Sequence, residues 1–324
     1  MTVLAYRDTT TPTRTPAPPR PTRARRGPVR LLPASAPRQV WLAERRRGIG
    51  GSDALAVMGL SPHSSAYQVW ADKCGLLPAA RETEAMLWGR LLEQVIARHV
   101  ATELGLTVRR AGLHAHPEHP WMRYTPDRLT SDGGLLEIKT TTLFRAEEWR
   151  HDSIPEHAEA QARHGMAVLG RGHAWIAGLI GGQHLALRRI TRDRVFEANM
   201  IAIERSFWHD HVQARRPPHP DGSASCSRTL YELYQKEQAG QRVVLDEQDL
   251  AVLEELAGLK ARAKQLKTSI AEAENWIKHR LGTAEIGTTP DGEPVVAWRA
   301  RQRSGYTVKP TAYRQLDLLR TAVA

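Results

Sequence analysis

Two carboxylates and a lysine near the middle of the chain are the residues best suited to chemistry by their type and spacing. Residues 135–141 read LLEIKTT, and the two-residue period of a β-strand puts Glu137 and Lys139 on the same face. The four residues before them, SDGG, predict a tight hairpin that folds the preceding strand back alongside. To within one residue, that hairpin brings Asp127 opposite Glu137. The sequence therefore predicts two carboxylates and one ammonium group at one point of a sheet.

Two carboxylates about 5 Å apart repel each other unless a cation lies between them, and a hard divalent ion with oxygen ligands is the usual solution. We expect Mg²⁺ there, with Lys139 orienting or helping to deprotonate a water molecule, or neutralising charge on a phosphate. A solvated cross-strand ion pair between Lys139 and one carboxylate is the alternative. These residues alone leave both interpretations open.

A third carboxylate is carried by a predicted long helix over residues 84–104. Gly89, Glu93, Ile96 and Val100 follow one another at spacings of three and four, which puts Glu93 on an apolar stripe. A buried glutamate needs a partner, and Gly89 leaves room one turn away for a ligand or another backbone. A glutamate at the edge of the stripe that reaches into solvent is the alternative.

The elements that must position these residues alternate between helices and strands. We predict helices over about 40–47, 84–104, 156–168 and 195–211, and strands over about 122–130, 135–141 and 174–180. A further helix starts after the turn GIGG, with Ser52 and Asp53 as its cap residues. This pattern predicts an α/β domain over residues 39–215, with a mixed sheet flanked by helices.

Five segments of this domain, in order, resemble motifs of one nuclease family. WGRLLE ending at Glu93, TPD ending at Asp127 and EIK starting at Glu137 look like the PD-(D/E)-x-K core of YqaJ-like viral recombinases and lambda exonuclease. GIGGSDA at 48–54 resembles the opening motif of that family, and residues 154–164 resemble its later glutamine-containing helix. The resemblance spans about 41–180 and implies a restriction-endonuclease-like fold.

The resemblance implies a role for each matching residue. Asp127, Glu137 and Lys139 would be catalytic, with Lys139 acting on the attacking water and Gln161 positioning that water or the scissile phosphate. The implied metal ligands are Glu93, Asp127, Glu137 and the carbonyl oxygen of Ile138. Mg²⁺, or Mn²⁺ in its place, would bind as two ions per site.

Ser52, with Arg45 seven residues before it, resembles the pocket that holds the 5′-phosphate of the DNA end being degraded. A guanidinium and a hydroxyl suit a phosphate on physical grounds as well, although the adjacent Arg46 and Arg47 are equally able to supply the charge. The implied enzyme is a 5′-to-3′ exonuclease that resects linear double-stranded DNA and leaves 3′ single strands for a single-strand annealing protein. An endonuclease of restriction or repair type and a non-catalytic DNA-binding module are the alternatives.

Three positions depart from the pattern of the family. Arg128 follows Asp127 where glycine is common, and Ala158 and Arg163 stand where members often carry tyrosine and glutamine. None of these changes removes an implied metal ligand. We therefore expect an active enzyme whose contacts with substrate are altered.

The charge of the chain suits a nucleic-acid partner but is unevenly distributed. The 324 residues carry a net charge of +11, and residues 1–38, with eight Arg, eight Pro and one acid, supply +7 of it. Such a segment predicts a disordered basic arm that either binds DNA non-specifically or is simply solvated. The two cysteines form no paired motif, and no run approaches the roughly 20 apolar residues of a membrane span. We expect a cytoplasmic protein of a bacterial or phage-infected bacterial cell.

A proline-rich linker over residues 216–229 predicts the end of this domain, and a mainly helical module over 230–324 follows it. From Val252 to Ile277 apolar residues alternate spacings of three and four, the heptad pattern of a helix with one contact seam. That seam either pairs with a second copy of the chain, giving a homo-oligomer, or packs on its own domain. A small hairpin around PDG at 290–292 completes the module.

Overall fold

The computed structural model describes residues 27–79 and 82–302, together with residue 316. The chain divides into two compact units, residues 1–233 and 234–324. Residues 1–26 of the predicted basic arm lie outside the described residues, so that part of the arm stays a prediction. The first unit holds all the residues predicted to be catalytic.

The strands described in the first unit form two sheets. Their bounds are β1 Val29–Arg30, β2 Ile49–Gly50, β3 Val108–Arg109, β4 His114–Ala115, β5 Met122–Tyr124, β6 Arg128–Thr130, β7 Leu135–Thr141, β8 His173–Ile180 and β9 His184–Thr191. One sheet has the order β3-β6-β7-β8-β9, and the other has the order β1-β4-β5-β2. In the five-stranded sheet β7 and β8 run parallel and the other neighbours run antiparallel. This sheet is therefore mixed, as predicted.

Helices flank the mixed sheet, which confirms the predicted α/β class. Their bounds are α1 Arg38–Arg46, α2 Gly51–Val57, α3 Ala66–Lys73, α4 Glu84–Leu104, α5 Glu156–Leu169, α6 Arg194–Ser206 and α7 Ala224–Leu233. A 3₁₀ helix over Leu143–Trp149 follows β7, and a π-helix over Phe207–Gln213 continues α6. The helix α5 lies in the connection between β7 and β8, because parallel neighbours need a crossover rather than a tight turn.

Apolar side chains are buried on both faces of the mixed sheet. On one face Leu135 belongs to the main core together with Met166 of α5, and on the other face Leu136 packs with Ile96 of α4. Each such side chain contributes about 1.5–3 kcal/mol when it is fully buried rather than exposed. Because side chains alternate along β7, Glu137 follows Leu135 toward α5 rather than toward α4.

The elements that carry most of the predicted site residues have the predicted bounds. The helix α4 and the strand β7 cover the residues predicted for them, and α5 is one residue longer than expected. Thr83 caps α4 by accepting a hydrogen bond from the Met86 N–H, and Gly105 ends it in the left-handed conformation with a φ of 63°. Strong local signals at both ends explain why this helix was predictable.

Two predicted elements differ locally from the structure. The strand predicted over 122–130 is interrupted and forms β5 and β6, since Pro126 has no N–H to donate to a neighbouring strand. The N-cap of α2 is Gly50, so the predicted cap residues Ser52 and Asp53 lie inside the first turn of the helix. Asp53 still acts on the helix start, because its Oδ2 accepts the Gly50 N–H at 2.9 Å.

The prediction of a disordered arm over residues 1–38 is wrong for its last part. Val29 and Arg30 form β1, which pairs antiparallel with β4. The N–H groups of Leu31 and Leu32 both donate to the carbonyl of Leu113. This strand exists because an edge far away in sequence offers unpaired backbone groups, and no local pattern announces it.

The linker predicted over residues 216–229 is shorter than expected. Its last residues belong to α7, which packs against α3: the Ser225 hydroxyl accepts the Ser65 N–H at 3.0 Å, and Cys226 is completely buried. The first compact unit therefore extends to Leu233 rather than ending at residue 215.

The described part of the second unit, residues 234–302, contains one long helix and a hairpin. The helix, α8, spans Glu247–Leu281, and the antiparallel strands β10 and β11 span Ile286–Thr288 and Pro294–Ala297. No residue of α8 is buried, so its heptad seam stays a predicted contact surface. Among the described residues, no helix combines the length and the apolar character required to cross a membrane.

The packing of the segment before α1 on the first unit can be tested at Gly112. A Cβ atom added there would lie 1.8 Å from the Leu32 carbonyl oxygen, so one backbone must move. We expect Gly112→Ala to lower the free energy of unfolding by about 1–3 kcal/mol in urea denaturation. The matched control is Gly172→Ala, because a Cβ at Gly172 meets nothing within 4 Å. Equal stability of the two variants would show that residues 31–33 do not pack on the fold.

Candidate active site

The hairpin of β6 and β7 sets the position of the two predicted carboxylates. Arg128 pairs with Leu136 and Leu129 with Leu135, and continuing this register by one residue places Asp127 beside Glu137, as the sequence predicts. Because β6 begins only at Arg128, the Ile138 N–H has no strand partner on that side. The Oδ2 atom of Asp127 accepts this N–H at 2.7 Å. At this point the Asp127 carboxylate takes the place of a β6 residue as the hydrogen-bond partner of β7.

Glu137 is completely buried and is bonded at both oxygens. Its Oε1 accepts from Lys139 Nζ at 2.7 Å, and its Oε2 accepts from the Tyr124 hydroxyl at 2.5 Å. Lys139 Nζ also donates to Oε1 of Gln161 at 2.8 Å. The side chains from β7, β5 and α5 thus meet in one hydrogen-bonded cluster. Tyr124 was not among the predicted residues, and only its position at the end of a strand before the TPD motif could have suggested it.

The carboxylates of Asp127, which is partly buried, and Glu137, which is completely buried, repel each other. Burial raises the pKa of Asp127 well above its usual range, and repulsion by Glu137 and Glu93 adds to the effect, against the opposing attraction of Lys139. Burial alone would lower the pKa of Lys139, but the carboxylates of Glu137 and Asp127 outweigh it and raise that pKa. Lys139 is therefore an ammonium ion at neutral pH as long as nothing else neutralises the carboxylates.

The donor chemistry at the carboxylate pair fits a hard divalent cation. Asp127 and Glu137 offer carboxylate oxygens, and the Ile138 carbonyl lies on the same side of β7 as its N–H, which faces Asp127. A cation would relieve the repulsion that raises the pKa of Asp127. Across the described residues, however, no three His, Cys, Asp or Glu side chains are arranged to hold a metal ion. Asp127, Glu137 and the Ile138 carbonyl are neighbours, but among the described residues no third carboxylate completes a metal site with them.

Glu93 lies at the cleft but is paired elsewhere. The Arg128 side chain, which is only 3% exposed, donates a hydrogen bond to Glu93 Oε1 and forms an ion pair with it. The same guanidinium donates to Gln94 Oε1 at 2.8 Å and to the carbonyl of Asp127. The sequence identified Arg128 only as an unusual residue at a position where glycine is common. It did not predict the ion pair of Arg128 with Glu93.

The structure distinguishes among the three adjacent arginines near the predicted phosphate pocket. Arg45 donates a hydrogen bond to the Ser52 hydroxyl, and its guanidinium lies 5.5 Å from the centre of the Trp41 ring. Arg46 instead pairs with Asp72 at 2.9 Å, and Arg47 with Glu44 at 3.3 Å. Arg45 is thus the arginine beside Ser52.

A partly buried acid, Asp53, accompanies this pair. Asp53 Oδ1 lies 3.4 Å from Arg45 Nη2, while its Oδ2 lies 2.7 Å from Lys73 Nζ. Burial alone would raise the pKa of Asp53, but the charges of Lys73 and Arg45 together hold it far below its usual range. Asp53 is therefore ionised, and Lys73 shares its charge, so Arg45 is not fully neutralised by it.

A single cleft joins the two groups of residues. It has a volume of about 870 Å³ and is lined on its polar side by Arg45, Ser52, Glu93, Asp127, Ile138, Lys139 and Gln161. Gly51 permits the close approach of α2 and α5, because a Cβ there would lie 2.9 Å from Gln161 Cγ. Glu137 lies beneath the floor of the cleft, where it holds Lys139.

A mixed sheet with a buried carboxylate pair and a lysine at the edge of a cleft defines an α/β protein with a site suited to an anionic substrate. A family model described as the YqaJ-like viral recombinase domain matches residues 40–172. The protein YqaJ of Bacillus subtilis (strain 168) is 32% identical over 255 residues, which cover 77% of this chain and 80% of that protein. The chain belongs to the YqaJ-like viral recombinase family.

Solved structures of two exonucleases resemble part of the fold. The alkaline exonuclease LHK-Exo from Laribacter hongkongensis aligns with a TM-score of 0.48 and 22% identity, over 55% of this chain and 94% of that one. A phage related exonuclease from Haemophilus somnus aligns with a TM-score of 0.39 and 11% identity, over 52% and 96% of the two chains. At these scores the likeness does not bear on the chemistry of the site.

The repulsion between Asp127 and Glu137 should destabilise the folded protein when no metal ion is bound. In metal-free buffer we expect Asp127→Asn to raise the melting temperature at neutral pH, because it removes a buried charge beside two others. Since the folded-state pKa of Asp127 is raised, the wild type loses stability as pH rises through that pKa. The advantage of the variant should therefore shrink as pH falls toward about 4.

Asp132, in the same hairpin, is the matched control. Burial alone would raise its pKa, but hydrogen bonds from Thr130, Trp175, His173 and the Gly134 N–H hold it far below its usual range. Asp132→Asn should therefore lower the melting temperature at neutral pH, and the loss should begin to shrink as pH falls below about 4, toward the depressed pKa of the folded state. If both variants shift the melting temperature in the same direction, the assigned repulsion is wrong.

Proposed function

We propose that the protein is a divalent-metal-dependent deoxyribonuclease that degrades one strand of linear double-stranded DNA from its 5′ end. The observation that carries this proposal is the single cleft in which Asp127, Lys139 and Gln161 lie together with Arg45 and Ser52. The first group suits phosphodiester hydrolysis, and the second suits a terminal phosphate. Membership of a viral recombinase family supports resection as the purpose, with 3′ single strands passed to a single-strand annealing protein.

Mg²⁺, or Mn²⁺ in its place, would be held by Asp127, Glu137 and the Ile138 carbonyl. When bound, it supplies Lewis-acid activation of the phosphate and lowers the pKa of a water molecule. In the free protein Glu137 holds Lys139 in place, since it is buried and its Oε1 accepts from Lys139 Nζ at 2.7 Å. Binding of a cation by the carboxylates weakens their hold on the Lys139 proton, so Lys139 can orient the attacking water or take part in its deprotonation.

Gln161 has the geometry of a positioning residue. Its Oε1 accepts from Lys139 Nζ at 2.8 Å, which leaves its amide N–H groups available for other acceptors in the cleft. A water molecule or a phosphate oxygen next to Lys139 would be such an acceptor. In this proposal Lys139 and Gln161 together fix the direction from which water approaches the phosphorus atom.

The Arg45 and Ser52 pair gives the enzyme its preference for a 5′ end. A guanidinium donates to two phosphate oxygens at once, and a neighbouring hydroxyl can donate to a third. The Trp41 ring beside Arg45 restricts the guanidinium to one side of the cleft. A terminal phosphate bound there would place the first phosphodiester bonds of that strand toward the carboxylate pair.

Removal of the chemical groups should separate cleavage from binding. We expect Lys139→Ala and Asp127→Asn each to abolish release of nucleotides from end-labelled linear duplex in Mg²⁺, while the Kd for duplex changes less than about threefold. Asp132→Asn, which alters a carboxylate of the same hairpin outside the cleft, is the control and should retain cleavage. Normal turnover by either of the first two variants would disprove the assignment of the active site.

A comparison of DNA ends tests the phosphate pocket. Each charge-assisted hydrogen bond contributes about 1.5–3 kcal/mol, so duplex with a 5′-phosphate should be degraded roughly tenfold or more faster than duplex with a 5′-hydroxyl. Arg45→Ala should remove most of this preference. Arg47→Ala should leave it intact, because the Arg47 side chain is 74% exposed and pairs with Glu44. Equal rates on both ends in the wild type would refute the pocket.

The form of the DNA distinguishes the proposed enzyme from its alternatives. Covalently closed circular duplex should survive incubation with enzyme and Mg²⁺, whereas the same plasmid should be degraded once it is linearised. Gel electrophoresis of both forms, with EDTA as the control, measures this directly. Nicking of closed circles would favour an endonuclease, and a gel shift without any cleavage would indicate a DNA-binding module.

A further inference from the structure

Arg128 occupies the space between the mixed sheet and α4. Its neighbour in β6, Leu129, belongs to the main core on the α5 side, so the Arg128 side chain points to the opposite face. Its cross-strand partner Leu136 likewise packs on the α4 side. The guanidinium therefore lies between α4 and the sheet, where it contacts the backbone carbonyl of Asp127.

Arg128 donates three hydrogen bonds, to acceptors in α4 and in the strand layer. It donates to Glu93 and to Gln94 of α4, and it donates to the carbonyl of Asp127 at the start of its own strand. A buried guanidinium needs acceptors, and no solvent is available to replace them. Arg128 thus ties Glu93 to the strand end that carries Asp127.

Glu93 is an implied metal ligand that shares a cleft with Asp127. Its side chain, which is 24% exposed, lines the same cleft as Asp127 and Ile138. A carboxylate engaged with a buried guanidinium must give up that pair before it can ligate a cation, and the guanidinium is then left beside the incoming charge. A second cation would therefore compete with Arg128 for the Glu93 carboxylate.

We propose that Arg128 withholds Glu93 from the metal site, so that the free protein binds one divalent ion at Asp127, Glu137 and the Ile138 carbonyl. The guanidinium supplies the positive charge at the Glu93 end of the cleft that a second ion would otherwise supply. This inference rests on the proposed function, but it replaces the expectation of two equivalent ions. It assigns Arg128 as a positioning residue that controls the number of bound ions.

Calorimetric titration of metal-free protein with Mn²⁺, in the absence of DNA, measures the number of ions directly. We expect the wild type to bind one ion, with any second ion bound at least tenfold more weakly. Arg128→Met removes the charge and keeps an apolar side chain of similar length, so the variant should bind two ions with affinities within about tenfold of each other. Arg98→Ala, at an exposed position of α4, is the matched control and should behave as the wild type.

Glu93→Gln in the wild-type background provides a test that does not depend on folding of an Arg128 variant, and the double variant extends it. In the wild-type background it should leave the affinity of the first ion unchanged within about twofold, and in the Arg128→Met background it should remove the second ion. Two equivalent ions in the wild type, or a loss of more than tenfold in first-ion affinity on Glu93→Gln, would overturn the proposal.

A variant of the carboxylate pair distinguishes this failure from failure of the proposed function. If Asp127→Asn abolishes binding of the single ion while Arg128→Met still binds only one, the metal site stands and the role of Arg128 is disproved. If wild type and variants all fail to bind Mn²⁺, both the proposed metal dependence and the inference are disproved.

Discussion

The hydrogen bond from the Ile138 N–H to the Asp127 carboxylate is the contact on which the site depends. It exists because β6 stops at Arg128, which leaves one backbone donor of β7 unpaired at the point where a carboxylate can reach it. The register that allows it also sends Glu137 and Lys139 toward α5. A slip of one residue would turn both side chains toward α4 and exchange them with apolar ones. The pairing of β6 with β7 therefore determines both the register of the sheet and the positions of the site residues.

Around this contact, like charges lie close together, which lowers the stability of the folded protein. Two buried carboxylates repel each other, and Tyr124, Lys139 and the strand N–H only partly offset the repulsion. Apolar packing on both faces of β7 holds the groups in place despite that repulsion. In the proposed function, a cation would relieve this unfavourable carboxylate charge when it binds together with an anionic substrate.

The sequence was informative where structure follows from local pattern. The period of β7, the glycines of its hairpin and the apolar stripe of α4 predicted the correct elements and the correct register for Asp127 and Glu137. Contacts made between distant segments were not predictable: the pairing of β1 with β4, the packing of α7 on α3, and the choice of Arg45 over its two neighbours. The contact of Arg128 with Glu93 was also not predictable, because the sequence does not show which distant acceptor a buried guanidinium will bind.

The most direct test of the account is the position of the metal ion. Crystals of the Lys139→Ala protein with duplex DNA and Mn²⁺ would locate the ion by its anomalous scattering. The account predicts a peak roughly 2.1 Å from a carboxylate oxygen of Asp127, one of Glu137 and the Ile138 carbonyl oxygen, with a DNA phosphate completing the ligand set. An ion bound elsewhere in the cleft, or a duplex bound with no ion at these three residues, would contradict it.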